Sequence, residues 1–172
     1  MALHIGKTFA AAAVLAVGIP QAAQAAGIWE VERKAGGSCA MSAVYQTSDQ
    51  ADPVLISFVL PPKSRDLGFV AASGGWAELE QREGGAADLM LRFDGKVRYT
   101  EWLSQSAPFR RLSGENRAIA GQWGAELGDS LGEALTQSSH LTLVVGETDL
   151  GQYDLDEARA SFAELRRCSD RG

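Results

Sequence analysis

The chain has little of what most chemistries require. It carries two cysteines in 172 residues, Cys39 and Cys168. They form no C-x-x-C, which excludes a thioredoxin-like redox pair and a tetrathiolate zinc site, and no C-x-x-C-H, which excludes covalent c-type haem. Histidine is scarcer still in effect: of the two, only His140 lies beyond the first four residues. A metal site built on histidine therefore lacks ligands at matching spacing. There is no G-x-G-x-x-G and no G-x-x-x-x-G-K-[ST], so no nucleotide cradle is indicated. Basic charge is also short, with 16 Lys and Arg against 22 Asp and Glu for a net charge of −6, which speaks against general affinity for nucleic acid or anionic lipid.

Long apolar runs are missing as well. The longest is Phe9–Ile19, eleven uncharged residues ended by Pro20. A membrane span needs about 20. Lys7 before this run and Ala23-Gln24-Ala25 after it give the pattern of an export signal with cleavage expected after Ala25. The first cysteine stands well downstream, so a lipid anchor at the cut is not expected. Residues 26–172 then make one β-rich domain of 147 residues and charge −7, destined for a periplasm or the outside of the cell, with no membrane span after cleavage. In such an oxidising compartment Cys39 and Cys168 most simply form one disulfide, the alternatives being free thiols or an intermolecular bridge.

What is present is mostly strand pattern. Ile28–Lys34 alternates in part, with Trp29 and Val31 opposite Glu30 and Glu32. Cys39, Met41, Ala43 and Tyr45 share one face of a second strand. Val54–Leu60 (VLISFVL) is a continuous apolar run of strand length, placed centrally in a sheet and ended by Pro61-Pro62. Leu67–Ala72 is a further strand. Trp76–Gln81 fits a strand or one helical turn equally. Ala87–Phe93 and Lys96–Leu103 flank Asp94-Gly95, a hairpin signal of the type I′ class. Ser104–Asn116 reads as a loop, Arg117–Trp123 as a short strand, and His140–Val145 as a strand with Leu141, Leu143 and Val145 on one face. Gly146–Gln152 reads as an acidic turn.

Two helices are expected. Ser130–Leu135 has Ser130 at an N-cap and Glu133 three residues on, a capping box. Leu155, Ala158, Phe162 and Leu165 recur at spacings of three and four in Tyr153–Cys168, and Cys168 shares their side. Asp154 or Asp156 caps that helix, and Arg166-Arg167 suit its C-terminal dipole. The sum is a mainly β fold: an antiparallel β-sandwich or barrel-like domain of about seven strands, one short helix and a C-terminal helix.

Candidate chemistry is thin. Gly128-Asp129-Ser130-Leu131 spells the tetrapeptide of the GDSL hydrolases, but it comes late, without a D-x-x-H block or α/β alternation. A serine nucleophile needs a base in reach and a group to orient it; His140 is the one histidine nearby, and a helix cap explains Ser130 better. Glu147, Asp149, Asp154 and Asp156 lack the EF-hand spacing and read as a solvated turn plus cap. No catalytic residue, metal or cofactor is assigned. Phe109, Arg110, Arg111, Arg117 and Trp123 form a small basic, aromatic region, the residue types that favour interface hot spots, and are the candidate protein-binding residues. Trp76 and Trp102 are expected in the core.

The order of features adds one resemblance. Trp29 after an export signal, Cys39, Phe93–Gly95, the helix Ser130–Leu135, the strand Leu141–Val145 and the closing run Leu155–Leu165 with Ala158 and Phe162 resemble the invasion-associated locus B family and related small exported β proteins of alphaproteobacteria. That family usually carries more cysteines, including a central pair that this chain lacks. The resemblance implies a compact, exported, non-enzymatic β domain; the host-cell association of some members is not carried over. The expected function is to bind a protein partner or support the cell envelope. A proteinaceous protease inhibitor is the alternative, and a serine hydrolase using Ser130 comes third.

Overall fold

The computed structural model describes residues 28–46, 52–76, 86–95, 102–108, 110–111 and 117–172. In chain order the elements are β1 (Glu30–Arg33), β2 (Cys39–Tyr45), β3 (Val54–Leu60), β4 (Leu67–Ser73), β5 (Ala86–Gly95), β6 (Trp102–Pro108), β7 (Arg110–Arg111), β8 (Arg117–Trp123), α1 (Ala125–Gln137), β9 (Ser138–Val145), β10 (Thr148–Asp154) and α2 (Ala158–Asp170). They build a six-stranded sheet in the order β1-β2-β3-β4-β8-β7 and a four-stranded sheet in the order β10-β9-β5-β6. Every pairing is antiparallel. The sheets remain separate, so the fold is sandwich-like and not a closed barrel.

Period-2 alternation explains which residues meet between the sheets. Register aligns Val31, Met41, Phe58, Phe69 and Gly121 across the large sheet, and Phe93, Leu141 and Tyr153 across the small one. Those faces look at each other. The Tyr45 ring lies 5.0 Å from that of Tyr153, and its hydroxyl donates to the Asp154 carbonyl at 2.6 Å. At Gly121 the sheets come so close that a Cβ would stand 3.3 Å from Leu89 Cδ2 and 3.0 Å from the Trp123 ring. Any side chain there would push the Trp123 ring or Leu89 aside.

The helices close the sandwich. α1 lies against β4, β5, β8 and β9, and α2 against β1, β2 and β3. Ala158, Phe162, Leu165 and Cys168 are the buried stripe of α2, as the spacing predicts. Cys168 is disulfide-bonded to Cys39. Around that bridge, Arg33 donates to the Cys168 carbonyl (2.7 Å), Ser169 Oγ to the Pro61 carbonyl (2.6 Å) and the Lys63 N–H to the Ser169 carbonyl (3.1 Å). The last turn of α2 is thus tied to β1, β2 and the turn after β3.

Several local expectations are corrected. Asp94-Gly95 is no turn: both residues pair with β9, and Arg92 faces Trp102 on β6, so the connection lies farther on, at 96–101, outside the described residues. The acidic turn expected over Gly146–Gln152 is confined to Gly146–Glu147, which joins β9 to β10; the rest of that segment is strand β10. Gly146 has φ 60 at its first position, as a II′ turn demands. The supposed loop Ser104–Asn116 contains the end of β6 and all of β7, which with β10 raises the strand number above about seven. The N-cap of α1 is Gly124, so Ser130 is inside the helix and not at its start. α2 starts at Glu157, in the left-handed region (φ 65) with no side-chain cap; Asp154 Oδ1 instead accepts the Asp156 N–H just before it. The export signal, residues 77–81 of the ambiguous segment and the first six residues of the expected second hairpin arm lie outside the described residues.

Candidate functional site

The GDSL tetrapeptide is accounted for by helix packing. A Cβ at Gly128 would stand 2.6 Å from the Arg65 carbonyl oxygen, so α1 can meet the β3–β4 connection only with glycine there. Asp129 ion-pairs with Arg65 and with Arg166 of α2, the latter at 2.9 Å. Leu131 is fully buried. One residue on, Gly132 receives the Phe162 ring, whose Cζ would be 2.5 Å from a Cβ. Ser130 sits mid-helix between these contacts, and His140 is half-buried on β9, in register with Asp154. Asp149, one of the acidic quartet, accepts the Gly151 N–H and so shapes its own bulge. Among the described residues no three His, Cys, Asp or Glu side chains converge as a metal site.

The five residues singled out as basic and aromatic separate in the fold. Arg110 and Arg111 form β7 and pair with Ala118 and Arg117 on the outermost part of the large sheet. These three arginine positions therefore do meet at one sheet edge. Trp123 is at the other end of β8, about 20 Å along the strand. It is 3 % exposed, with its ring 6.3 Å from that of Phe69 in the core. Being buried, it cannot be a contact for a partner, which corrects its assignment. Its period-2 position, in phase with Ile119, is the reason. Phe109 lies outside the described residues. Trp76 is buried, as expected.

The surface that sequence reasoning missed is the outer face of the large sheet. Three rows cross it: Val44-Leu55-Ala72-Ala118, Ser42-Ser57-Val70-Ala120 and Ala40-Val59-Gly68-Gln122. No charged residue stands anywhere in β2, β3 or β4, and β8 has only Arg117 at its first position. An antiparallel sheet with one solvated face normally alternates apolar-in and polar-out. The small sheet obeys: apart from Met90 and Val144, its outer rows include Arg92, Thr142, Gln152, His140 and Asp154. The large sheet does not. Its two central hydroxyls even satisfy each other, Ser42 Oγ donating to Ser57 Oγ at 2.9 Å.

Charge returns at the two borders. On the β1 side, Glu30 pairs with Ser42 and Glu32 with Ala40 in register, and Glu32 ion-pairs with Lys34. A shallow depression of roughly 480 Å³ lies there, floored by Val44 and Leu55 and rimmed by Glu30 and Glu32. Val44 is 43 % exposed, and Ile28 beside β1 is 76 % exposed. On the far side only the position of Arg110 is in register with an outer row, that of Ala118; Arg111 and Arg117 fall in the opposite phase, that of Ser73 and Ile119. The face is therefore an apolar plateau with an acidic border on its β1 side. The sequence signal was the lack of alternation in VLISFVL and LGFVAAS. The chain matches no protein-family model, no curated protein and no solved structure.

Proposed function

We propose that this chain is an exported, non-enzymatic β domain that works by binding protein through the outer face of its six-stranded sheet. The observation that carries this reading is the absence of charge from β2, β3 and β4, whose outward Val44, Leu55, Val59 and Val70 remain exposed or part-exposed. Contiguous apolar patches on a soluble domain mark interaction sites. The export pattern of the first 25 residues and the Cys39–Cys168 disulfide fit a working place outside the cytoplasm. The order of features resembling the invasion-associated locus B family supports the same class of function.

Export is tested by N-terminal sequencing of the mature protein, which should begin at Ala26. Surface use is tested with a photo-reactive residue at Val70, compared with the same residue at Arg92 on the small sheet, in the protein's native envelope. Covalent adducts to protein should form from position 70 and not from 92, and should disappear when Leu55→Lys is added. Equal adducts from both positions, or persistence in the Leu55→Lys background, would refute the assignment of the surface.

A further inference from the structure

Resting on that reading, we infer that the acidic border takes an extended segment of a partner protein as one more strand, added to β1. The segment carries an apolar residue that lies beside Ile28 and, two residues before it, a lysine or arginine that lies beside Glu30. Three observations lead there. The first is an open edge. β1 ends the order of the large sheet, with β2 on one side and no strand on the other. The Lys34 N–H donates to the Ser38 carbonyl (2.8 Å), so residues 34, 32 and 30 turn their backbone groups toward β2. The N–H and C=O groups of Val31 and Arg33 therefore point away from β2, and nothing among the described residues bonds them. The bonds between α2 and this stretch use the Trp29 carbonyl, which accepts from Ser161 Oγ, and the Arg33 guanidinium, which donates to the Cys168 carbonyl. Such an edge is a template for another strand.

The second is an apolar row beside that edge. The register that pairs Glu30 with Ser42, carried two residues back, sets Ile28 opposite Val44, which pairs with Leu55. All three line the depression next to β1. Ile28 and Val44 are two of the three large hydrophobic side chains left exposed among the described residues, the third being Leu127 on α1. The third observation is charge. Glu32 is paired with Lys34, whereas Glu30 makes no ion pair among the described residues. Glu30 shares the outer face with Ile28, one step along the strand. A second copy does not suit this edge: β1 laid antiparallel on β1 about Val31 sets Glu30 against Glu32, and like charges directly opposite destabilise a pair. The edge is thus closed to its own kind and open to a basic strand. In strand addition the main chain gives affinity and alternate side chains give the choice of partner. Antiparallel pairing, the more stable per residue, puts the cation before the apolar residue.

Fluorescence anisotropy with a labelled eight-residue peptide tests this: lysine is fourth, leucine sixth, and threonine fills the other positions. Binding to the exported protein should saturate and should weaken as salt rises. Glutamate in place of the lysine should cost roughly tenfold in affinity, and with Glu30→Lys the order of the two peptides should invert. Ile28→Ser with Val44→Ser should weaken the leucine peptide by a like factor, and Leu127→Ser should leave it unchanged. Circular dichroism and melting curves check that each variant folds. N-methylation of the third amide, which faces Val31, should abolish binding, while N-methylation of the fourth, which faces away, should be tolerated. Affinity indifferent to Glu30→Lys or to the Ile28 and Val44 changes would overturn the occupant. Equal effects of the two N-methyl groups would overturn the added strand. No binding at peptide concentrations up to about 1 mM would overturn the inference altogether. In that case, position-70 adducts lost with Leu55→Lys would leave the binding surface standing; no adducts would remove both.

Discussion

The Cys39–Cys168 bridge joins residues 129 apart and should dominate the stability of the domain. Its removal by Cys39→Ala with Cys168→Ala is the perturbation to follow. Closing a loop of that length lowers the entropy of the unfolded chain by about 17 cal/mol/K, or about 5 kcal/mol at 25 °C. A typical domain is stable by only about 5–15 kcal/mol in all. The folded state should hardly notice the loss. The last turn of α2 keeps the Arg33, Ser169 and Lys63 hydrogen bonds, and Phe162 and Leu165 keep their places in the core. Helix content at 25 °C should therefore persist.

Urea denaturation separates the two states. The variant should lose roughly 3–5 kcal/mol, with a melting temperature about 10–15 °C lower for a chain of this size. Its m-value should rise, because an unlooped unfolded chain exposes more surface. Non-reducing mass analysis of the wild type should show no free thiol and a mass two hydrogens below that of the reduced chain. A variant within about 1 kcal/mol of wild type, at unchanged m, would refute this reasoning: the bridge would then constrain nothing that the packing of α2 does not already hold.

Gly128→Ala places a Cβ against the Arg65 carbonyl and should destabilise by about 1–2 kcal/mol in urea despite the better helix propensity of alanine. Tyr45→Phe removes the hydroxyl bonded to the Asp154 carbonyl, and a loss of about 1 kcal/mol is expected by the same measurement. Burial first, with nearby carboxylates adding, pushes the Tyr45 and Tyr153 hydroxyls well above their ordinary value of 10.0. The unfolded chain thus ionises them first, and stability that is intact below pH 10 should fall as pH rises above it. The slope is about 2.7 kcal/mol per pH unit for the two, and denaturant melts of the double Phe variant should lack it. Asp129→Asn releases Arg65 and Arg166 and should destabilise by about 1 kcal/mol, an effect that shrinks in high salt.

Strand positions were legible wherever one face is apolar and the other is not. His140–Val145 shows this, because burial imposes a period of two on the letters themselves. The α2 stripe was legible for the same reason at a period of 3.6. Turn chemistry was less so. Asp94-Gly95 has ideal hairpin letters yet lies within β5, where pairing with β9 on its other side overrides the local preference. Gly146 supplies the positive φ instead, at the head of a segment that read as one long acidic turn and not as a tight turn followed by a strand. Ser130 and Glu133 make a capping box in letters only. The helix extends back past Ser130, and Gly128, two residues before the supposed cap, packs within it against the Arg65 carbonyl.

The candidate surface was illegible for a deeper reason. VLISFVL was read as a central strand, and it is one, lying between β2 and β4. A central position within a sheet accounts for saturated backbone hydrogen bonds, not for apolar side chains on both faces. Only cover on both faces accounts for those. The inner residues Val54, Ile56, Phe58 and Leu60 meet the core, while Leu55 and Val59 look outward alongside Val44 and Val70. The same seven letters thus satisfy the fold with Val54, Ile56, Phe58 and Leu60 and leave Leu55 and Val59 part-exposed on the outer face. Had those outward positions been lysine or glutamate, the sandwich would close as well and the face would need no occupant. Their being apolar is therefore not a requirement of the fold, which is why the proposed binding surface is placed on the outer face and not at the helix cap or the acidic turn.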